Sequence, residues 1–392
     1  MTPFEICTDD LLRKKNDILD NNSHVSFAID WLINAQDKTA DGGVAAWYSL
    51  LRGWALSYVE TTGYIITTFL DASRYLNNSK LIGRAIKMAD FLVKMQLPHG
   101  GFRVHVPEKN REPSSIVFDT GQDILGLTDI YKETANKKYL ESAKKAADWL
   151  ISIQEKDGSW VKNTFGNTKH TYKTRVAWSL LKIYELTKDK KYRVSGIKNL
   201  DWALKNQKPN GWYCLNSLPD QRHNTPFTHT ISYAAEGFLW SGLILKEKKY
   251  IDAAKKAADA ILNYYREHDF VPGTFDEYWE PSDHFSCLTG DAQISIVWLK
   301  LFQITGNEKY LNSARRLNYY LKGTQNNVIK NREIKGGIKG SDPIYGDFFN
   351  RTGYSRMAYL NWATKFFVDS LILEDLIVEG TDGKDDLFVY KV

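Results

Sequence analysis

A chain of 392 residues, 43% hydrophobic and 25% charged, has the composition of an ordinary globular protein and is long enough to bury a large core. Its net charge of +5 is mild, and its lysines are spread along amphipathic helices (Lys144, Lys145, Lys255, Lys256) as on a solvated face, so nucleic acid is not an expected partner. Three cysteines, Cys7, Cys214 and Cys287, make neither an even disulfide framework nor a close-spaced metal set; they read as small packing residues in a reducing compartment.

Residues 1–22 form a lead-in whose interleaved acids do not match a signal or transit peptide, and no apolar run is long enough to cross a bilayer. The expected location is therefore the cytoplasm. From about Ser23 a unit begins that recurs to Leu373, and it is clearest between Lys138 and Thr187. Tyr139, Leu140, Ala143, Ala146, Ala147, Leu150 and Ile151 fall on one helical face with lysines between them, which predicts an outer helix stopping at Gln154. A Glu-Lys-Asp-Gly turn, Trp160 and a polar loop follow. The next segment, VAWSLLKIYEL, is apolar around most of its circumference and predicts a buried inner helix.

The same order repeats along the chain. Outer helices are expected to end at Gln36, Gln96, Gln154, Gln207, Tyr265 and Gln325, 53 to 60 residues apart, each followed by a glycine turn and usually an aromatic residue. Inner helices are expected to open at Thr62, Thr120, Thr171, Thr230, Thr289 and Thr352, where a threonine hydroxyl can satisfy free N–H groups. Six hairpins with apolar inner helices would expose one end as an open solenoid, and closing the ring removes that cost. The predicted fold is therefore all-α, an (α/α)6 toroid over residues 23–373 with short β pieces possible in loops. A tetratricopeptide-like solenoid is the alternative, although the repeats are too long for it. Residues 374–392 lose the repeat and read as an acidic tail.

Turns from inner to outer helices are short and alike, whereas loops from outer to inner helices are long and individual. In a closed ring the long loops share one face with the inner-helix starts, and individual loops on a regular scaffold tend to carry function. Seven of the eight histidines fall there, among them His105, His170 and His229, together with Trp47, Trp54, Trp279 and Tyr345. Aromatic rings with scattered polar groups around a mouth suit stacking on sugars.

The pattern of Gln, then Asp-Gly-Ser-Trp or Gly-Gly-Phe, then an inner helix resembles the α/α-toroid proteins. These include six-hairpin glycosidases, polysaccharide lyases, uronyl C5-epimerases, and terpene-cyclase and prenyltransferase repeats. SLLRGWALSYVETTGYII (49–66) and YLNWATKFFVDSL (359–371) are similar to toroid proteins of polysaccharide assembly. Two isoprenoid chemistries fail on the residues: FDTGQD (118–123) lacks the Asp-x-Asp-Asp acid, and DHFSCLTGD (283–291) lacks the zinc spacing of prenyltransferases. Cys214, Cys287 and His284 are ligands of the right type for zinc without the tight motif, so no metal and no other cofactor is expected.

Carbohydrate chemistry remains. A hydrolase needs two carboxyl groups, for which Glu60 with Asp119 or Asp291 are candidates. A uronate lyase or epimerase needs a base, an acid and a neutralised carboxylate. His170, His229, Tyr64, Tyr172 and Tyr354 could move protons, with Arg175, Arg351 or Arg356 on the carboxylate and Gln122, Tyr233 and Gln293 beside them. Six inner-helix N-termini aimed at one mouth favour an anion, so the sequence leans toward proton abstraction on an acidic oligo- or polysaccharide. Hydrolysis and a non-catalytic glycan-binding scaffold are the alternatives.

Overall fold

In the computed structural model, which describes residues 3–12, 16–107, 112–219 and 224–378, helices dominate. They are α1 (Pro3–Leu11), α2 (Asn21–Asp37), α3 (Val59–Tyr75), α4 (Lys80–Met95), α5 (Val117–Thr134), α6 (Lys137–Ser152), α7 (Thr174–Thr187), α8 (Lys190–Lys205), α9 (Thr228–Leu245), α10 (Lys248–His268), α11 (Leu288–Thr305), α12 (Glu308–Thr324) and α13 (Asn361–Val378). Even-numbered helices from α2 to α12 form the outer ring, and odd-numbered helices from α3 to α13 the inner one. On α6 the buried positions Tyr139, Ala143, Ala146, Ala147 and Leu150 form the inward stripe, whereas every residue of α5 from Val117 to Ile130 is buried. The difference follows directly from the two hydrophobic patterns.

The glutamines that end the outer helices are latches. Gln96 Nε2 donates to Gly100 O (2.8 Å) in its own turn and to Ser142 O (2.8 Å) on the next outer helix. Gln36, Gln154 and Gln207 repeat both bonds. Gln325 instead reaches Gly336 O (2.9 Å) and, across the chain ends, His24 O (3.1 Å) on α2, so the last repeat is bonded to the first. The turn glycine must be a glycine: Gly158 has φ 92°, and a Cβ there would lie 2.3 Å from Lys198 O. Tyrosines add a second periodic tie, Tyr139, Tyr192, Tyr250 and Tyr310 donating to Asp90, Asp148, Asp201 and Asp259 of the preceding outer helix.

Two expectations need correction. The threonines do not cap their helices: Thr62 lies inside α3, where its hydroxyl accepts from Val44 N (3.0 Å) and donates to Tyr58 O (2.7 Å), fastening the glycine turn to the helix. Thr120 accepts likewise from Phe102 N. In the sixth repeat this role belongs to Thr364, which accepts from Ile338 N, while Thr352 sits in the preceding loop and bonds Asp283. That loop is long because it carries strands. β1 (Trp47–Ser49), β2 (Gly53–Trp54), β4 (Ile338–Lys339) and β6 (Ala358–Leu360) pair in the order β2-β1-β6-β4, with Tyr48 opposite Tyr359. β3 (Ser286–Cys287) pairs with β5 (Ser341–Asp342). These pieces line the loop face and close the seam between first and last hairpins, where Asn361 Nδ2 donates to Ala45 O (3.0 Å) and Thr61 Oγ1 (2.8 Å). At the far end α13 runs to Val378, past the expected limit of the repeat; the rest of the acidic tail lies outside the described residues. Among the described residues no helix is long and apolar enough to cross a membrane.

Candidate active site

The loop face opens into a cavity of about 930 Å³, within the range of small-molecule sites. Its floor comes from the first turns of inner helices: Glu60, Thr61 and Tyr64 on α3, Phe118 and Asp119 on α5, His229, Thr230 and Tyr233 on α9, and Trp362 on α13. The loops supply walls, among them Trp47, Tyr58, His105, Phe165, Tyr172 and Tyr354. α11 contributes no wall, so the cavity is off-centre toward α3, α5, α9 and α13.

Glu60 and Asp119 meet within hydrogen-bonding reach of each other. They sit in the first turns of adjacent helices that approach closely: a Cβ on Gly63 would lie 2.5 Å from Asp123 Oδ1, and one on Gly126 would lie 2.0 Å from Gly63 O. Tyr58 Oη donates to Glu60 Oε2 (2.7 Å), while Asp119 Oδ2 finds no donor among the described residues. Burial raises the Glu60 pKa, against the Tyr58 hydrogen bond and the Arg175 charge, to about 7. Asp119 is raised well above the usual carboxylate range, by burial first and then by the Glu60 charge. Two buried carboxyls in contact cannot both ionise cheaply, so the pair holds a shared proton near neutral pH. Asp123, one turn below Asp119, is fully buried with both oxygens unpartnered, and burial raises it too.

Opposite this pair, His229 Nδ1 lies 2.5 Å from Gln293 Oε1. An acceptor there places the imidazole proton on Nδ1 and leaves Nε2 as an acceptor. Burial lowers the His229 pKa to about 3, so the ring is neutral. Tyr233 packs against it with centroids 4.2 Å apart, and Tyr354 at 5.1 Å. Tyr64 hydrogen-bonds Tyr233, and burial pushes the Tyr64 and Tyr354 hydroxyls up, which keeps them as neutral donors and acceptors. No lysine or arginine is among the described residues of the wall.

Of the residues expected at the mouth, Glu60, Tyr64, Asp119, His229, Tyr354, Trp47, His105, Tyr172 and Tyr233 line this cavity. The others do not. Asp291 is buried beside β3, accepting from Ser286, so it cannot partner Glu60 across a substrate. His170 turns Nε2 onto Thr168 Oγ1 (2.9 Å) and Phe165 O (3.0 Å) and stacks on Tyr172 from behind the wall. Arg175 is buried in an ion pair with Glu236 and donates to Gln122 Oε1 (2.9 Å), which occupies both expected ligands. Gln293 serves His229. Trp54 donates to Glu333 and packs on Trp31, and Trp279 donates to Asn210 O (3.0 Å) against Trp212, so both wedge loops together. Tyr345 packs half-buried against the core, and the Arg356 guanidinium bonds the Arg351 carbonyl on the exposed 351–356 turn. Phe118 and Trp362 belong to the wall without having been expected, and Tyr58, one of the aromatic residues of the long loops, enters it two residues before Glu60 in extended backbone leading into the helix. Among the described residues no group of three or more His, Cys, Asp or Glu side chains could hold a metal ion.

The fold has many known relatives. An unsaturated glucuronyl hydrolase specific for heparin superposes with a TM-score of 0.72 at 16% identity, covering 92% of this chain and 98% of its own. Cellobiose 2-epimerase from Bacillus thermoamylovorans gives 0.68 at 14% identity, covering 89% of this chain and 97% of its own. An α-mannanase from Bacteroides thetaiotaomicron gives 0.65 at 15% identity, covering 92% and 97%. The family model of the ulvan lyase N-terminal domain matches residues 114–296, under half of the chain. No curated protein matches the sequence. The chain is thus a six-hairpin α/α toroid whose structural neighbours are carbohydrate-active hydrolases and epimerases.

Proposed function

We propose that the protein hydrolyses an oligosaccharide whose end sugar is an unsaturated uronyl residue, with the Glu60–Asp119 pair as proton donor. The observation that carries this reading is the contact between two buried carboxyls on the cavity floor, one of them held near pH 7. Direct contact is too close for the usual glycosidase geometries, whose carboxyls stand about 5 to 9.5 Å apart on either side of the bond. It suits a reaction that needs acid and water on one side. An enol ether is such a substrate: the pair protonates C4 of the C4=C5 bond, water adds at C5 and returns its proton to the pair, the resulting hemiketal opens to a C5 ketone and a C1 hemiacetal, and the hemiacetal collapses to an aldehyde, its hydroxyl proton passing to the glycosidic oxygen as the remaining saccharide leaves. This route needs no cation on the uronate carboxylate. Unsaturated glucuronyl hydrolases among the structural neighbours agree in substrate class. Aromatic rings such as Trp47, Phe165 and Tyr172 offer stacking surfaces for the sugars.

Proton abstraction next to a uronate carboxylate is the second reading, and it rests on the acceptor nitrogen of His229. It is weaker because a base with a pKa of about 3 takes up a proton poorly. The test is incubation with oligosaccharides ending in an unsaturated uronyl sugar. Hydrolysis erases the ultraviolet absorbance of the double bond and adds the mass of water to the products. Absorbance that rises instead, on saturated uronate polymers, would replace this reading with elimination.

A further inference from the structure

Tyr354 reaches the cavity on a loop whose backbone has an unfavourable shape. Around it Arg351, Ser355 and Met357 have φ of 55°, 46° and 59°, the left-handed region that residues with a Cβ rarely adopt and that persists only where neighbours fix it. Ser341 Oγ accepts from Tyr354 N (2.7 Å) and donates to Tyr354 O (2.9 Å), while Met357 N donates to Ile344 O (2.9 Å). The N-terminal helix holds the base of the same loop from its other side. Asp10 on α1 accepts from Ile344 N (2.7 Å) and, with both oxygens, from Lys339 Nζ (2.8 Å). Buried Lys339 also donates to Asp342 Oδ1 (2.8 Å), next to Ser341, and Cys7 Sγ lies 3.6 Å from Met357 Sδ. Closure of the ring is served by other contacts, Gln325 to His24 and Asn361 to Ala45, and among the described residues of α1 only Ile6 is buried. What α1 grips is the segment that presents Tyr354, whose ring stands 5.1 Å from that of His229 and 5.0 Å from that of Phe227.

We infer that Asp10 is a positioning residue for Tyr354: by holding Lys339 and the Ile344 amide it fixes the 341–357 loop, and with it the place of the Tyr354 ring beside His229 in the cavity. The route is a chain of direct contacts, from Asp10 to Ile344 and Met357 on one side of the loop and from Asp10 through Lys339 to Asp342 and Ser341 on the other. A wall residue held only by its own strained turn would wander, and an outside anchor of this kind keeps such a site in one geometry. The N-terminal helix is therefore part of the scaffold of the site. This holds whichever bond the protein breaks, since it concerns the shape of the cavity and not the reaction in it.

The test reads His229 in the free, full-length protein by nuclear magnetic resonance, with the imidazole carbons labelled and the His229 signal identified by its loss in H229Q. Y354L removes the neighbouring ring and sets the largest shift that its displacement can cause. D10A is expected to move the signal to a position between wild type and Y354L, and D10A/Y354L to coincide with Y354L, because an effect carried by Tyr354 vanishes when Tyr354 is gone. D10N keeps an oxygen for the Ile344 amide and removes the charge facing Lys339; it should shift the signal by less, and it decides should D10A fail to fold. His24, buried at the outer-ring latch, should keep its position in each variant. A His229 signal that stays at its wild-type position in D10A overturns the inference, as does a D10A shift of equal size in the Y354L background. A His24 shift as large as that of His229 overturns it too, for then the whole ring has loosened. No sugar enters this readout, so a protein inactive on unsaturated uronyl substrates would overturn the proposed function and leave this result standing.

Discussion

Asp119 and Asp129 lie on the same helix and are equally buried, yet their surroundings differ. Asp129, near the C-terminal end of α5, accepts from Lys182 Nζ (2.5 Å) and Thr67 Oγ1 (2.8 Å). On α13 Asp369 is held likewise by Lys365 and by Thr68 Oγ1 (2.8 Å). At the mouth end Asp119 has another acid for a neighbour and no donor on Oδ2. Asp129 and Asp369 each bond a threonine of a neighbouring inner helix and have a cation of their own. The mouth acids lack one, and they alone border a cavity. The contrast separates carboxylates that hold the ring together from carboxyls kept in a costly state, a pattern expected of groups that move protons.

This contrast can be broken by substitution at either end. The largest expected effect is on activity: E60Q or D119N should lower kcat on an unsaturated uronyl substrate by about 10² to 10⁴-fold, the usual reach of general acid catalysis, with the thermal midpoint unchanged or raised. The deep pair should answer in the opposite way. K182M strands Asp129 without its cation and should cost about 3 to 5 kcal/mol in denaturant unfolding, while the folded fraction keeps its kcat. A ring-closing latch comes next: Q325A leaves the Gly336 and His24 carbonyls without their donor and should cost about 1 to 3 kcal/mol. On the exposed outer face, K144A removes only the pair with Glu141 and should change stability by less than about 0.5 kcal/mol.

pH dependence sharpens the comparison further. Glu60 sits near 7 in the fold against 4.5 for an ordinary glutamate. Between those values the folded chain binds more protons than the unfolded one. The contribution of Glu60 to stability is therefore full below about 4.5, falls as pH rises through that window, and is gone above about 7. Unfolding free energies of wild type and E60Q measured across the window should show that slope only in the wild type. A slope of equal size in E60Q would place its origin elsewhere.

Most of the ring was legible because it is written six times. The beat of glutamine, glycine turn and apolar helix is a local pattern, and it carries the latch that closes the ring. The last repeat broke the rule at Thr352, since β strands lengthen its loop and Thr364 takes over the contact. The carboxyl pair was legible in part: the first turns of two inner helices flagged Glu60 and Asp119, but Asp291 stood in an equivalent position. Only packing distinguishes them, for α11 lies away from the cavity. The arginines were misjudged for a related reason. Whether Arg175 reaches substrate depends on Glu236 of the next inner helix, 61 residues on, and no spacing within a single helix carries that information.

The most direct test of the shared-proton acid is the reaction run in deuterated water with an unsaturated uronyl oligosaccharide, with the position of deuterium in the product read by nuclear magnetic resonance. A single deuterium at C4 of the released sugar, present with wild type and abolished by E60Q, is the predicted result. Deuterium at C5 of an uncleaved, saturated chain, retained in E60Q and lost when His229 is replaced, would contradict it and make proton abstraction the chemistry of this cavity.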